Sequence, residues 1–284
     1  MSPHRATVNI QAGQLDVLVW EPDDEATGDT PRPTVLALHG FPESAWEWQP
    51  VAELLVSEGV RVVAPMQRGY SPGARPSRIE GYAIEHLEQD VVDVADHFEL
   101  GPIHLLGHDW GASVAWWLAA HQPDRLATLT AVSVPHLGAF ADALAGDPDQ
   151  QERSAYFRLF RQPGKAEDVL LEDGAHRLRA MFDGDVSPSL VAAHLEIVGD
   201  RAGLTAALNW YRAMRRYEVP DVAVPTTFVW GEEDVAIARS GAEATQARIT
   251  ADYRFVPVPG GGHWLPEQHP ELLAREILAR LSSA

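Results

Sequence analysis

The chain has 284 residues, 45% of them hydrophobic, enough for one large domain or one domain with a substantial insertion. A formal net charge of −19 makes nucleic acid and anionic membranes poor partners, and the acidity reads as a solubility feature. The lack of cysteine excludes disulfides, thiolate zinc sites and cysteine nucleophiles, and with no signal core and no run of about eighteen apolar residues a cytoplasmic protein is expected.

Alternating apolar and polar residues over 6–11 and 15–21, around Gln11-Ala12-Gly13-Gln14, predict an antiparallel hairpin. Residues 22–33 read as an acidic, proline-bearing loop without periodicity. The apolar run 34–38 predicts a strand that stops at His39-Gly40-Phe41-Pro42. Ser44 is placed to cap a helix reaching about Glu58, Gly59 ends it, and 60–65 predicts a further strand. After a turn-rich loop at 67–73, helical spacing of Ile84, Leu87, Val91, Val94, Ala95 and Phe98 predicts a helix over 82–98. A short buried strand at 103–106 and an alanine-rich helix closing at Gln122-Pro123 bracket Gly107-His108-Asp109-Trp110-Gly111, and the next strand is predicted at 126–134.

The alternation of strands and helices then stops. Between about Gly138 and Glu218 the segments near 151–161, 166–182, 188–199 and 204–216 have helical character, too regular for a plain loop. Strands resume at 224–230 and 253–258, with a helix from about Ala238 between them. Gly260-Gly261-Gly262-His263 and an amphipathic helix to about Leu281 close the chain. The whole predicts an α/β protein: a mostly parallel eight-stranded sheet with helices on both faces and a helical insertion.

Small residue, any, acid, any, small residue, set between a strand and a helix, is the pattern of a nucleophile elbow, although the pentapeptide alone is also a common surface turn. Asp109 stands at its centre where the commoner motif has serine. In doubly wound sheets ligands sit at the carboxyl ends of the strands, where four predicted strands deliver His39 to Pro42, Asp109, Asp234 and His263. Nucleophile, acid, histidine is the chain order expected of an α/β-hydrolase. The acid is chosen from Glu232, Glu233 and Asp234; the glutamates are expected to face water and Asp234 to meet the histidine. The alternative place after the sixth strand, residues 131–136, offers no carboxylate.

From the His39-Gly40-Phe41-Pro42-Glu43-Ser44 loop to Gly262-His263, the chain resembles an α/β-hydrolase of the epoxide hydrolase branch. The elbow matches that branch but is shared with haloalkane dehalogenases. The insertion separates them. Tyr156, in Tyr-x-x-x-Phe followed by Pro163-Gly164, and Tyr211, in Asn209-Trp210-Tyr211-Arg212, match the two cap tyrosines of epoxide hydrolases. A division into core (1–137), helical cap (138–218) and core (219–284) follows from the resemblance.

The resemblance implies that Asp109 attacks an epoxide carbon, an ionised carboxylate needing no base to deprotonate it. Tyr156 and Tyr211 would donate to the epoxide oxygen, and His263, oriented by Asp234, would activate water against the ester. The N–H groups of Phe41 and Trp110 would form the oxyanion hole. His39, Pro42, His108 and His136 are expected beside the substrate pocket. The partners implied are a small-molecule epoxide and water, with no cofactor and no metal, on a monomer or homodimer. Gln67 departs from the acidic residue usual in its loop, which puts a local pairing there in doubt. Two other readings stay open: a dehalogenase on the same fold, and a non-catalytic ligand-binding protein. Against the first, Phe41 occupies the place where a dehalogenase would be expected to carry a halide-binding Asn.

Overall fold

A computed structural model of the chain describes residues 2–23, 32–182 and 184–283; most of the predicted loop at 22–33 lies outside them. Eight strands form one sheet in the order β1-β2-β4-β3-β5-β6-β7-β8. They are β1 (His4–Ile10), β2 (Gly13–Trp20), β3 (Thr34–Leu38), β4 (Arg61–Pro65), β5 (Ile103–His108), β6 (Leu126–Val132), β7 (Thr226–Gly231) and β8 (Tyr253–Val258). β1 and β2 form the predicted hairpin, β2 pairs antiparallel with β4, and every later pairing is parallel. The hydrophobic runs explain the choice: β3, β4, β6 and β7 are buried along nearly their whole length, as strands covered on both faces must be.

The helices are α1 (Gln49–Ser57), α2 (Ile84–His97), α3 (Trp110–His121), α4 (Leu137–Gly146), α5 (Pro148–Arg153), α6 (Phe157–Phe160), α7 (Lys165–Ala180), α8 (Pro188–Val198), α9 (Arg201–Ala213), α10 (Arg239–Ala244), α11 (Leu265–Gln268) and α12 (Pro270–Leu281). α3 runs behind β5 with an apolar surface on every side, so it is buried throughout the interior. α4 to α9 are the insertion, and it leaves and rejoins the sheet between β6 and β7. α4 lies outside the predicted helical segments. The predicted helix over 166–182 is broken at Glu172 to Ala175, where Asp173, Gly174 and Ala175 have positive φ. Ser44 precedes a 3-10 turn (Ala45–Trp48), not α1, and its hydroxyl makes no cap bond but meets His194 Nδ1 at 3.0 Å. Among the described residues no helix is long and apolar enough to cross a membrane.

Candidate active site

Asp109 follows the last residue of β5, a strand held between β3 and β6. Its backbone sits at φ 50°, ψ −116°, a conformation an L-residue adopts only under constraint. The flanking glycines supply it. A Cβ on Gly111 would lie 2.0 Å from the Leu38 carbonyl oxygen, and one on Gly107 would lie 2.5 Å from that of Gly111. Only the bare backbone lets β5 turn into α3 this sharply. The carboxylate is thereby aimed across the sheet edge, where Phe41 N–H donates to Asp109 Oδ1 at 2.8 Å.

His263 leaves β8 through the glycine run and stands beside this carboxylate, its Nε2 3.5 Å from Asp109 Oδ2. Its Nδ1 is 2.8 Å from Asp234 Oδ2, in the loop after β7. The other Asp234 oxygen accepts N–H bonds from Ala236 at 2.7 Å and Ile237 at 2.9 Å, which fix the carboxylate. Glu232 and Glu233 are exposed while Asp234 is buried. The insertion braces this loop: Gln150 accepts from Ala238 N–H at 2.9 Å and donates to the Ala236 carbonyl at 2.8 Å, and Arg153 donates to the Asp234 carbonyl.

The charges of the three groups are interdependent. Burial alone would lower the His263 pKa, but the Asp234 charge and the hydrogen bonds to Asp109 and Asp234 outweigh it and hold the imidazole well above its ordinary value. Burial likewise works to raise Asp109, yet His263, His108 and the Phe41 N–H bring it below the ordinary carboxylate value. The imidazole of His263 thus lies between the side chains of Asp109 and Asp234.

Tyr211 on α9 and Tyr156 just before α6 face each other across the insertion, ring centroids 6.2 Å apart. Tyr211 packs edge-on against Trp110 (5.1 Å), Phe41 (5.4 Å) and Phe160 (5.0 Å). Burial, and then in each case neighbouring charge that includes Asp109, raises both phenols above their ordinary pKa, so both keep their protons. Trp210, next to Tyr211, donates its indole N–H to the Arg68 carbonyl at 2.9 Å, and Arg68 makes a buried two-point ion pair with Asp90.

The family model described as alpha/beta hydrolase fold matches residues 33–270. The chain belongs to the α/β-hydrolase family. The hydrolase is 32% identical over 267 residues to the AB hydrolase superfamily protein YfhM of Bacillus subtilis, covering 91% of this chain and 93% of the relative. It is 30% identical over 300 residues to Epoxide hydrolase A of Mycobacterium tuberculosis, covering 90% and 92% of the two chains. Among solved structures, Epoxide Hydrolase A from Mycobacterium thermoresistibile superposes with a TM-score of 0.81 at 25% identity over 99% of this α/β-hydrolase and 98% of that chain.

A cavity of about 430 Å³ opens between the sheet edge and the insertion of the α/β-hydrolase. Asp109, Trp110, Tyr156 and Tyr211 line it together with Phe140, Phe157, Leu137, Leu144 and Met214. None of His39, Pro42, His108 and His136 is among the residues that line it, and all four are buried. His39 donates from Nδ1 to the Gly40 carbonyl (2.9 Å) and accepts the Gln67 N–H on Nε2 (3.2 Å), so the Gln67 loop keeps a local pairing. His136 accepts from Gly138 N–H at 3.1 Å and, through Nε2, reaches the Pro220 carbonyl at 3.1 Å, tying the start of the insertion to its end.

Below Asp109 the sequence reading missed a buried cluster: Glu43, Glu47 and Glu267 with His108 and His194. His108 Nε2 lies 2.9 Å from the His263 carbonyl, which only accepts, so that nitrogen carries the proton. Glu43 Oε2 stands 3.0 Å and Glu47 Oε2 3.4 Å from the His108 Nδ1. Burial, followed by the Glu47 charge, pushes Glu43 up to about 8, and burial raises Glu47 and Glu267 well above the carboxylate range. The signal in the sequence was Glu47, a lone acid inside Ala45-Trp46-Glu47-Trp48.

This cluster predicts a pH dependence of stability. A carboxyl with a raised folded pKa holds a proton that the unfolded chain has released, so its contribution is lost as pH rises towards the folded value. Thermal unfolding of the α/β-hydrolase is therefore expected at lower temperature as pH rises from 4.5 to about 8, and less steeply in Glu43→Gln. An unchanged slope in that variant would contradict the protonated state assigned to Glu43.

Proposed function

We propose that this α/β-hydrolase opens organic epoxides with water to vicinal diols, through an ester on Asp109. The observation that carries the reading is the placement of two protonated phenols, Tyr156 and Tyr211, on the wall of the cavity that also exposes Asp109. A displaced halide leaves as a stable anion and needs no proton, whereas an opened epoxide leaves an alkoxide that does. The relatives named epoxide hydrolases support the same reading.

In the first step an Asp109 oxygen bonds to an epoxide carbon, the carbon–oxygen bond breaks, and a tyrosine gives its proton to the released oxygen. Esterification removes the negative charge of Asp109. That charge helped to hold His263 protonated and both phenols weakly acidic, so the imidazolium now surrenders its proton and the tyrosinate is made good. In the second step neutral His263, held by Asp234, takes a proton from water as the hydroxyl adds to the Asp109 ester carbonyl. Phe41 N–H, already bonded to Asp109 Oδ1, stands where the oxyanion forms; Trp110, first residue of α3, is assigned the second donor. Collapse expels the diol, whose oxygen takes the acid proton of Asp109, and the ion pair with His263 is restored.

The reading assigns residues 1–137 and 219–284 to the catalytic core and 138–218 to a cap that chooses the substrate. It calls for no cofactor and no metal, and places the enzyme in the cytoplasm as a monomer or homodimer. The test is direct. Purified protein incubated with an aryl epoxide is expected to yield diol, and with a matched alkyl bromide to release no bromide. Bromide release without diol would hand the site to the dehalogenase reading.

A further inference from the structure

The cavity carries a charge opposite to that of the chain. With 41 Asp and Glu against 22 Lys and Arg, the surface as a whole repels anions. Yet the side chains lining the cavity include only one carboxylate, Asp109 on its buried floor, and three guanidinium groups, Arg161, Arg215 and Arg216. All three arginines are exposed, which puts them at the mouth, and the wall between mouth and floor is apolar.

Their partners leave charge to spare. Arg161 donates Nε–H to the Tyr211 carbonyl at 3.1 Å and lies over the Phe157 ring, so its terminal nitrogens are uncommitted among the described residues. Arg215 is paired with Glu85 and packs over Tyr217. Arg216 has no ion pair or hydrogen bond among the described residues. A volume of about 430 Å³ also exceeds the needs of a very small epoxide and falls in the range of pockets that enclose ligands of drug size.

Resting on the epoxide reading above, we propose that the substrate is amphipathic: an epoxide on an apolar body whose far end carries an anionic group, held at the mouth by Arg161 and Arg216. The apolar wall buries the body, the phenols take the ring oxygen, and the arginines fix which end enters first. Arginine suits the task because its planar fork meets a carboxylate or phosphate at two points.

The experiment compares kcat/KM for a long-chain terminal epoxy-alkanoate, its methyl ester, and the corresponding phosphate monoester. Because the arginines are exposed, the expected preference for either anion over the ester is modest, about tenfold at low salt, and it shrinks as salt is added. Arg216→Gln is expected to erase most of the preference, Arg216→Lys to keep part of it, and Arg216→Glu to favour the ester. A carboxylate-only preference would assign the mouth to carboxylates, and preference for both anions would assign it to anions generally; either supports the proposal. Equal rates for acid and ester in the unmodified enzyme, or a preference that survives Arg216→Glu, would overturn it. If an aryl epoxide is hydrolysed and none of the three probes is, the anionic substrate class fails alone. If no epoxide is hydrolysed, the epoxide reading fails with it.

Discussion

Replacing His263 with Gln is expected to arrest the protein after its first step, with one substrate molecule covalently added to the peptide that contains Asp109. The first step asks nothing of an imidazole base: the Asp109 carboxylate is itself the nucleophile, and it keeps the Phe41 N–H bond without His263. The second step asks for a group that takes a proton from water beside the ester, and 3.5 Å from Asp109 Oδ2 the described site offers His263 for it. Loss of a general base costs about 10²- to 10⁴-fold, enough for the ester to accumulate and be seen by mass spectrometry after proteolysis. Asp109→Asn is the companion measurement, expected to be inactive and unlabelled. A folded His263→Gln protein that shows no adduct while the unmodified enzyme makes diol would exclude an ester intermediate.

Changing both Tyr156 and Tyr211 to Phe is expected to stop ring opening itself, so that neither diol nor adduct appears. The substitution removes two hydroxyls and little else, since the rings carry the packing against Phe41, Trp110 and Phe160. Each single variant is expected to lose about 10²-fold in kcat, because the remaining phenol still donates, and the pair to lose more than either. The loss falls on the alkylation half, so stopped-flow tryptophan fluorescence, with Trp110 beside Tyr211, separates it from slow hydrolysis. A double variant with full activity on epoxides would remove the phenols from the mechanism.

Much of the fold was legible because burial writes itself into the sequence. The runs that became β3, β4 and β7 are mostly apolar or β-branched, and the elbow is marked by glycines, of which Gly111 leaves no room for a Cβ beside Leu38. Asp234 could be chosen over two neighbouring glutamates because a short side chain deep in the loop fits a buried partner. The break in α7 was also written, in Glu172-Asp173-Gly174, and was outweighed by the helical spacing around it. What was not legible depends on direction. A histidine at a strand end faces the cavity or turns from it according to the local twist, and His39 and His108 are buried and do not line it. Glu43 and Glu47 are near neighbours in the chain, but His108, His194 and Glu267 come from distant segments, and only the folded chain brings them together.

The two phenols are mounted on different supports. Tyr211 follows Trp210, whose indole is tied through the Arg68 carbonyl to an ion pair inside the core, so its hydroxyl is part of the frame. Tyr156 stands just before the one-turn helix α6, beside exposed Ala155, and its ring packs on Phe157 and Phe160 of that helix. The two donors therefore answer differently to a change in the core: weakening the Arg68–Asp90 pair is expected to disturb Tyr211 and to leave the support of Tyr156 untouched.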